Sequence, residues 1–391
     1  MSAVAGLLAP ATLDSLHVGM GWPDEQPGGL NRMVANLVHH LPQAGIAAHA
    51  LVAGSPQVAR LSHGRARAFA GLDEALPLRC WHACEAVHQA ARARRPDILA
   101  LHFPLFGLPA RLGLARDIAR IVHFHGPWAS EGTIEGGSAA AAGAKRWIER
   151  RAYAGAARYV TLSRAFAQLL ERDYGAAPER VRIVPGGVDC ARFAPTLARA
   201  EARAVLGLPA DRVILVAVRR LARRMGLHEL MAAFAAVRLR VPDALLVIGG
   251  QGPLRAPLQA QLAELGLERH VRLLGHVPEP LLPTLYRAAD LTVVPSTALE
   301  GFGLTSVESL ATGTPALVSP VGGLPETVAG LAQELVLPGL APDVLADTLT
   351  AALRGRLALP TAQACVEHVR RHFAWPVVAA RLATIYREAL A

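Results

Sequence analysis

Lysine is nearly missing from this 391-residue chain: Lys145 is the only one, so 39 of its 40 basic residues are arginine. Aromatic residues make up only 5% of the chain, too few for the interleaved basic and aromatic face of a nucleic-acid binder. The net charge of +9 still favours anionic partners, among them phosphates and an acidic membrane surface. Cysteine is scarce and scattered, at Cys80, Cys84, Cys190 and Cys365, which fits reduced thiols and not a disulfide framework. Cys80, Cys84 and His88 recur every four residues, but Cys-x-x-Cys ligand spacing is absent, and a packed helix face accounts for them. No apolar run reaches the roughly 18 residues of a membrane span, and residues 1–10 lack a basic segment before their short apolar stretch. The chain therefore reads as cytoplasmic. Asp-x-Asp occurs nowhere, so a carboxylate pair of the kind that presents a divalent metal to a phosphorylated ligand is missing.

What is present is a well-packed α/β pattern, 52% hydrophobic and 18% charged, in a chain longer than one core usually supports. In the first half, strands are expected at 16–20, 98–102, 121–125 and 159–162, separated by helical patterns. Leu30, Met33, Val34, Leu37, Val38 and Leu41 form one buried helical stripe, so Gly28 and Gly29 precede a helix N-terminus. The alternation repeats in the second half, with strands expected at 213–218, 244–248, 271–274, 291–294 and 316–318, a linker at 188–200 and a closing helix at 377–390. Ligands of such sheets sit at the carboxyl ends of strands, where His102 and His125 fall.

One loop stands out. Glu300-Gly301-Phe302-Gly303-Leu304-Thr305-Ser306-Val307-Glu308 follows a buried strand and opens a helix that Gly313 closes. Glycines there let backbone donors approach a phosphate at a helix N-terminus. Glu308 lies about five residues, roughly 7 to 8 Å, further along that helix, the reach of a ribose beyond the phosphate.

Around that loop stand Val271-Arg272-Leu273-Leu274-Gly275-His276-Val277, Tyr286-Arg287-Ala288-Ala289-Asp290, Ala311-Thr312-Gly313-Thr314-Pro315 and Val321-Gly322-Gly323-Leu324-Pro325-Glu326. Earlier come Pro27-Gly28-Gly29, His123-Phe124-His125-Gly126, Val184-Pro185-Gly186-Gly187-Val188-Asp189 and Gly249-Gly250-Gln251-Gly252-Pro253. In this order and spacing, over nearly the whole chain, the sequence resembles the retaining glycosyltransferases of family 4. The resemblance implies the GT-B fold: two Rossmann-like domains facing across a cleft, with the C-terminal helix crossing back to the first. It places an acceptor-side domain at 1–188, a nucleotide-sugar domain at 189–372 and the returning helix at 373–391.

It further implies transfer of a sugar from a nucleoside diphosphate sugar, UDP- or GDP-linked, to an acceptor hydroxyl with anomeric retention. No metal or other cofactor is expected. The acceptor would belong to bacterial polysaccharide, glycolipid or other glycoconjugate synthesis, lipid-linked acceptors and peripheral contact with the inner face of an anionic membrane included. Site residues carry over position by position: His125, Glu300 and Arg220 as catalytic, and Gly28, Gly29, Arg224, His276, Val277, Gly301, Phe302, Gly303, Leu304, Thr305 and Glu308 around the donor.

The chain departs from the family at one place. After the strand at 213–218 it reads Arg219-Arg220-Leu221-Ala222-Arg223-Arg224-Met225-Gly226, where the family usually shows Gly-Arg-Leu and then Lys-Gly. Arg220 aligns with the family arginine and Met225 with the lysine, and a thioether cannot neutralise a phosphate. Arg220 is expected as the main phosphate ligand, with Arg224 or Arg223 compensating. Alternatives on the same fold are an epimerase, a phosphorylase (which would carry a lysine for pyridoxal phosphate in the second half, where none exists) and a nucleotide-sugar-binding protein without turnover. The segment Lys145-Arg146-Trp147-Ile148-Glu149-Arg150-Arg151 is the best membrane-surface candidate, with Glu149 expected to interrupt its charge.

Overall fold

The computed structural model describes residues 13–112 and 118–390; residues 1–10, read above for a leader, lie outside it. Two parallel sheets organise the chain. The first contains β1 (Leu13–Val18), β2 (Ile46–Ala53), β3 (Ala66–Ala70), β4 (Ile98–Leu101), β5 (Ala119–Phe124), β6 (Arg158–Thr161) and β7 (Val181–Ile183), in the order β3-β2-β1-β4-β5-β6-β7. The second contains β8 (Val213–Val218), β9 (Ala244–Gly249), β10 (Val271–Gly275), β11 (Leu291–Val294) and β12 (Ala316–Val318), in the order β10-β9-β8-β11-β12. In both, the sequence-first strand sits inside the sheet and the order reverses beside it, which opens a crevice at the carboxyl edge.

Helices cover both faces of such sheets, so the central strands are apolar in continuous runs: β8, β9 and β11 read VILVAV, ALLVIG and LTVV, nearly all buried. The strands expected from sequence are present with ends shifted by up to three residues. Three strands were not expected. β2 contains four alanines and β3 three, and alanine carries little strand propensity, while β7 is three residues long. Their pairing comes from the neighbouring strands: Leu13 to Val18 of β1 runs in register with Ile46 to Leu51 of β2, β3 pairs with β2, and β7 pairs with β6.

The last helix, Trp375–Glu388, leaves the second half and returns to the first. At the crossing, the Val188 N–H donates to the Phe373 carbonyl at 2.8 Å and the Trp375 N–H to the Val188 carbonyl at 3.3 Å. Trp375 is buried over Gly187, where a Cβ would lie 2.5 Å from the indole, so only glycine fits beneath it. Val378, Leu382, Ile385 and Tyr386 then join Val34, Leu37, Val38, Leu41 and Ile46 in the core of the first half. Tyr386 reaches His123, its hydroxyl 2.8 Å from Nε2.

Candidate active site

Glu300 hangs on a turn that several constraints hold. Leu299 before it has φ 49°, a left-handed conformation that costs a leucine on the order of 1–3 kcal/mol. The Leu299 carbonyl accepts from Arg224 Nη1 at 3.0 Å, and the Glu300 carbonyl accepts from the Gly323 N–H at 2.9 Å. Gly322, at φ 59°, passes so close behind that a Cβ would sit 2.0 Å from the Glu300 carbonyl oxygen. The helix Leu304–Ala311 follows, capped by Gly303 at φ 95° with no acidic residue in its first turn, so its N–H groups remain a site for negative charge.

The group facing that turn is Arg219, the first residue after β8. Its buried guanidinium pairs with the Glu300 carboxylate and donates to Ser296 Oγ at 2.6 Å and Thr305 Oγ1 at 3.1 Å. It also meets Met225 Sδ at 2.9 Å. Ser296 Oγ donates to the same Glu300 carboxylate at 2.8 Å. Burial alone would raise the Glu300 pKa, but the charge and hydrogen bond of Arg219, with that of Ser296, hold it below the ordinary value. Arg219 Nε has no hydrogen-bond partner among the described residues and is buried.

Of the arginines expected at this place, none is the one at Met225. Arg224 pairs with Glu131 at 3.4 Å and Glu135 at 3.8 Å in addition to Leu299, Arg223 is exposed, and Arg220 is exposed and acts on Glu131 from a distance. The sequence did carry a signal, an arginine at 219 where the family pattern has glycine.

Glu308, one helical turn inward, is 5% exposed and bonded on both oxygens: Tyr286 OH donates to Oε2 at 3.1 Å and Arg32 Nη1 to Oε1 at 3.2 Å. Arg32 belongs to the helix Gly29–His40 of the first half, and it also reaches Glu279 at 3.1 Å. Burial raises the Glu308 pKa, and Arg32 and Tyr286 only partly offset it. Neither Arg32 nor Tyr286 was expected here; Tyr286 opens one of the motifs quoted from the sequence, but neither residue was given a role.

Across the cleft, His125 follows β5 and is half-buried, and burial pushes its pKa down to about 4, so the ring is neutral at pH 7. Its Nε2 lies 3.0 Å from His102 Nδ1. Glu131 packs beside Gly126, and its pKa is raised, chiefly by burial. Gly28 and Gly29 are exposed at the start of their helix, where an added Cβ would meet nothing within 4 Å, so a ligand can reach that backbone. His276 is exposed just after β10, and Val277 packs half-buried against Gly249. Phe302 differs from expectation: its ring is buried, edge-on to Phe373 at 5.5 Å, so it offers a ligand only backbone. Gly301, Leu304 and Thr305 remain beside Glu300 as expected.

Residues 198–372 match the family described as "Glycosyl transferases group 1", and residues 27–192 match "Glycosyltransferase Family 4". The chain is 32% identical over 389 residues to the D-inositol 3-phosphate glycosyltransferase of Acidothermus cellulolyticus, which spans 93% of this chain and 86% of that protein. To the enzyme of the same name from Corynebacterium glutamicum it is 36% identical over 233 residues, 57% of this chain and 55% of that protein. It thus spans about half the length of that relative and of several others. In fold it is similar to sucrose-phosphate synthase of Thermosynechococcus elongatus, with TM-score 0.77 at 24% identity over 96% of this chain and 98% of that one. It is similar also to Anabaena HepE, solved with UDP and glucose, with TM-score 0.75 at 18% identity over 95% and 98%.

Proposed function

Since the chain belongs to glycosyltransferase family 4 and has the GT-B fold, we propose that it transfers a glycosyl group from a nucleoside diphosphate sugar to an acceptor hydroxyl with retention at the anomeric carbon. The halves divide at residue 188, with 1–188 on the acceptor side, 189–372 holding the donor and 373–391 returning. The observation that carries this reading is the Arg219–Glu300 pair, set at the N-terminus of the Leu304–Ala311 helix. The diphosphate lies against that N-terminus, Gly28, Gly29 and Arg220, and the departing charge meets arginine and N–H groups without a metal. Glu300, kept ionised by Arg219, holds the sugar hydroxyls and the positive charge that develops at the anomeric carbon. Glu308 takes the ribose hydroxyls, and His276 and Val277 border the base. A donor of the UDP series is favoured by the fold relative solved with UDP and glucose.

In EDTA, one nucleotide-sugar series is expected to raise the melting temperature, and Glu308→Ala to abolish the rise. An acceptor panel that includes D-inositol 3-phosphate and a lipid-linked sugar then reads transfer. No stabilisation by UDP-, GDP- or ADP-sugars, or an undiminished shift in Glu308→Ala, overturns the donor assignment.

We also propose cytoplasmic residence with peripheral attachment to anionic membrane. Glu149 does not interrupt the basic segment: it is buried, accepts from Tyr174 OH at 3.0 Å, and burial pushes its pKa up to about 7. Arg146, Trp147, Arg150 and Arg151 therefore form an exposed stripe on the helix Ala139–Tyr153, with Trp147 58% exposed. No helix among the described residues is long and apolar enough to cross a membrane. Sedimentation with phosphatidylglycerol vesicles is expected, and Arg146→Ser with Trp147→Ser should weaken it at least about tenfold. Equal partitioning into phosphatidylcholine vesicles overturns the attachment.

A further inference from the structure

Four buried or half-buried side chains lie end to end along the carboxyl side of the first sheet. Ser15 Oγ is 3.1 Å from His17 Nε2, His17 Nδ1 is 2.9 Å from His102 Nε2, and His102 Nδ1 is 3.0 Å from His125 Nε2. They come from β1, from the residue after β4 and from the residue after β5, three neighbouring strands. His123 does not belong to the file: it stacks on His102 but bonds to Tyr386. Burial keeps all three relay rings neutral, the pKa of His17 falling to about 3 and that of His102 well below its ordinary value.

A neutral imidazole has one N–H and one lone pair, so rings bonded nose to tail share one polarity. Fixing any one of them fixes all. Ser15 supplies the fixed end, because its Oγ also lies 3.0 Å from the Ala47 carbonyl of β2, which can only accept. Ser15 gives its single proton to Ala47 and accepts from His17 Nε2–H. His17 Nδ1 then accepts from His102 Nε2–H, and His102 Nδ1 from His125 Nε2–H. Reversal would turn the Ser15 proton to His17 and forfeit the Ala47 bond, leaving three internal bonds where the forward chain has four.

We infer that Ser15, His17 and His102 are positioning residues that fix the tautomer of His125, so that its Nδ1 meets the substrate as a hydrogen-bond acceptor. That nitrogen makes no hydrogen bond to protein among the described residues. Resting on the donor-site reading above, the consequence is a choice of sugar. A hydroxyl at the facing position donates to Nδ1, whereas a fluorine or a carboxylate there would set lone pair against lone pair, so the site selects a hydroxylated sugar over a uronic acid at that carbon.

The test begins without substrate. In full-length protein labelled with ¹⁵N-histidine and assigned by single His→Gln variants, long-range proton–nitrogen correlations are expected to show His125 with hydrogen on Nε2. Ser15→Ala removes the fixed end and should let His125 populate both tautomers, and His102→Phe should do the same by cutting the file. Hydrogen on Nδ1 in the unmodified protein, or a His125 ring unchanged in both variants, overturns the relay. With the donor known, a series of singly fluorinated sugar nucleotides should show one position that costs the unmodified protein about tenfold in KM, reduced in Ser15→Ala. Tolerance at every position overturns the selectivity. If no sugar nucleotide binds at all, the donor reading fails while the ring correlations still decide the relay.

Discussion

Arg219→Ala is expected to lower kcat/KM by about 100- to 1000-fold, the scale on which a single preorganised donor to developing charge acts. Two losses combine. A buried cation beside the helix N-terminus proposed for the diphosphate disappears, and Glu300 loses the partner that holds its buried carboxyl ionised, so burial then raises its pKa. Restoring the family pattern provides the decisive control. Arg219 and Met225 touch, so the guanidinium stands within reach of a lysine placed at 225, and we propose that this arginine and methionine serve where the resembled family has a glycine and a lysine. Met225→Lys alone crowds two cations and should also impair turnover. Arg219→Gly with Met225→Lys should recover activity to within about tenfold of the unmodified protein, because charge returns and the crowding goes. Full activity in Arg219→Ala, or a double variant no better than its worse parent, rules out the exchange.

Arg32→Met should weaken donor binding at pH 7 by about 10- to 100-fold, and raising the pH should restore part of it. Arg32 joins the halves through Glu308 and Glu279, and it is the main influence that pulls the Glu308 pKa down against burial. Without it the carboxyl becomes harder to ionise. A protonated Glu308 gives up one of its acceptors, and a charge-assisted bond to a ribose hydroxyl, worth about 1.5–3 kcal/mol, is lost. The sign follows from the raised pKa: the acid is neutral below it and ionised above it, so binding improves as pH climbs through it. Titration of donor affinity against pH, in the variant and the unmodified protein, checks this, and a pH-independent loss would mean that Arg32 contacts the nucleotide itself. Small-angle scattering should also show a wider cleft in the variant.

Much of the molecule was legible because its strands are long apolar runs and its loops are punctuated by glycine. The Glu300 turn, its helix and the Gly313 terminus were readable to within a residue, since each depends on local chemistry. β2 and β3 were not, because alanine pairs there only under the direction of β1. In the site, Glu300, Glu308 and His125 could be named, but not the side chains that set their protonation. Arg219, Arg32, Tyr286 and His102 reach them through tertiary contacts between segments 22 to 276 residues apart, which no local spacing records. Glu149 failed for the mirror reason, since only the docking of its helix tells that it faces Tyr174 and not water.

The returning helix also orders events at the ribosome. The core of the first half includes Trp375, Val378, Leu382 and Tyr386, so the half synthesised first completes its core only after the helix Trp375–Glu388 has left the exit tunnel. At about 5–20 residues per second it waits for tens of seconds with the Val34, Leu37 and Leu41 stripe unpaired. The second half, whose core draws no residue beyond Phe373, can settle while the other waits. A stop codon just before Trp375 would therefore leave a first half that chaperones retain.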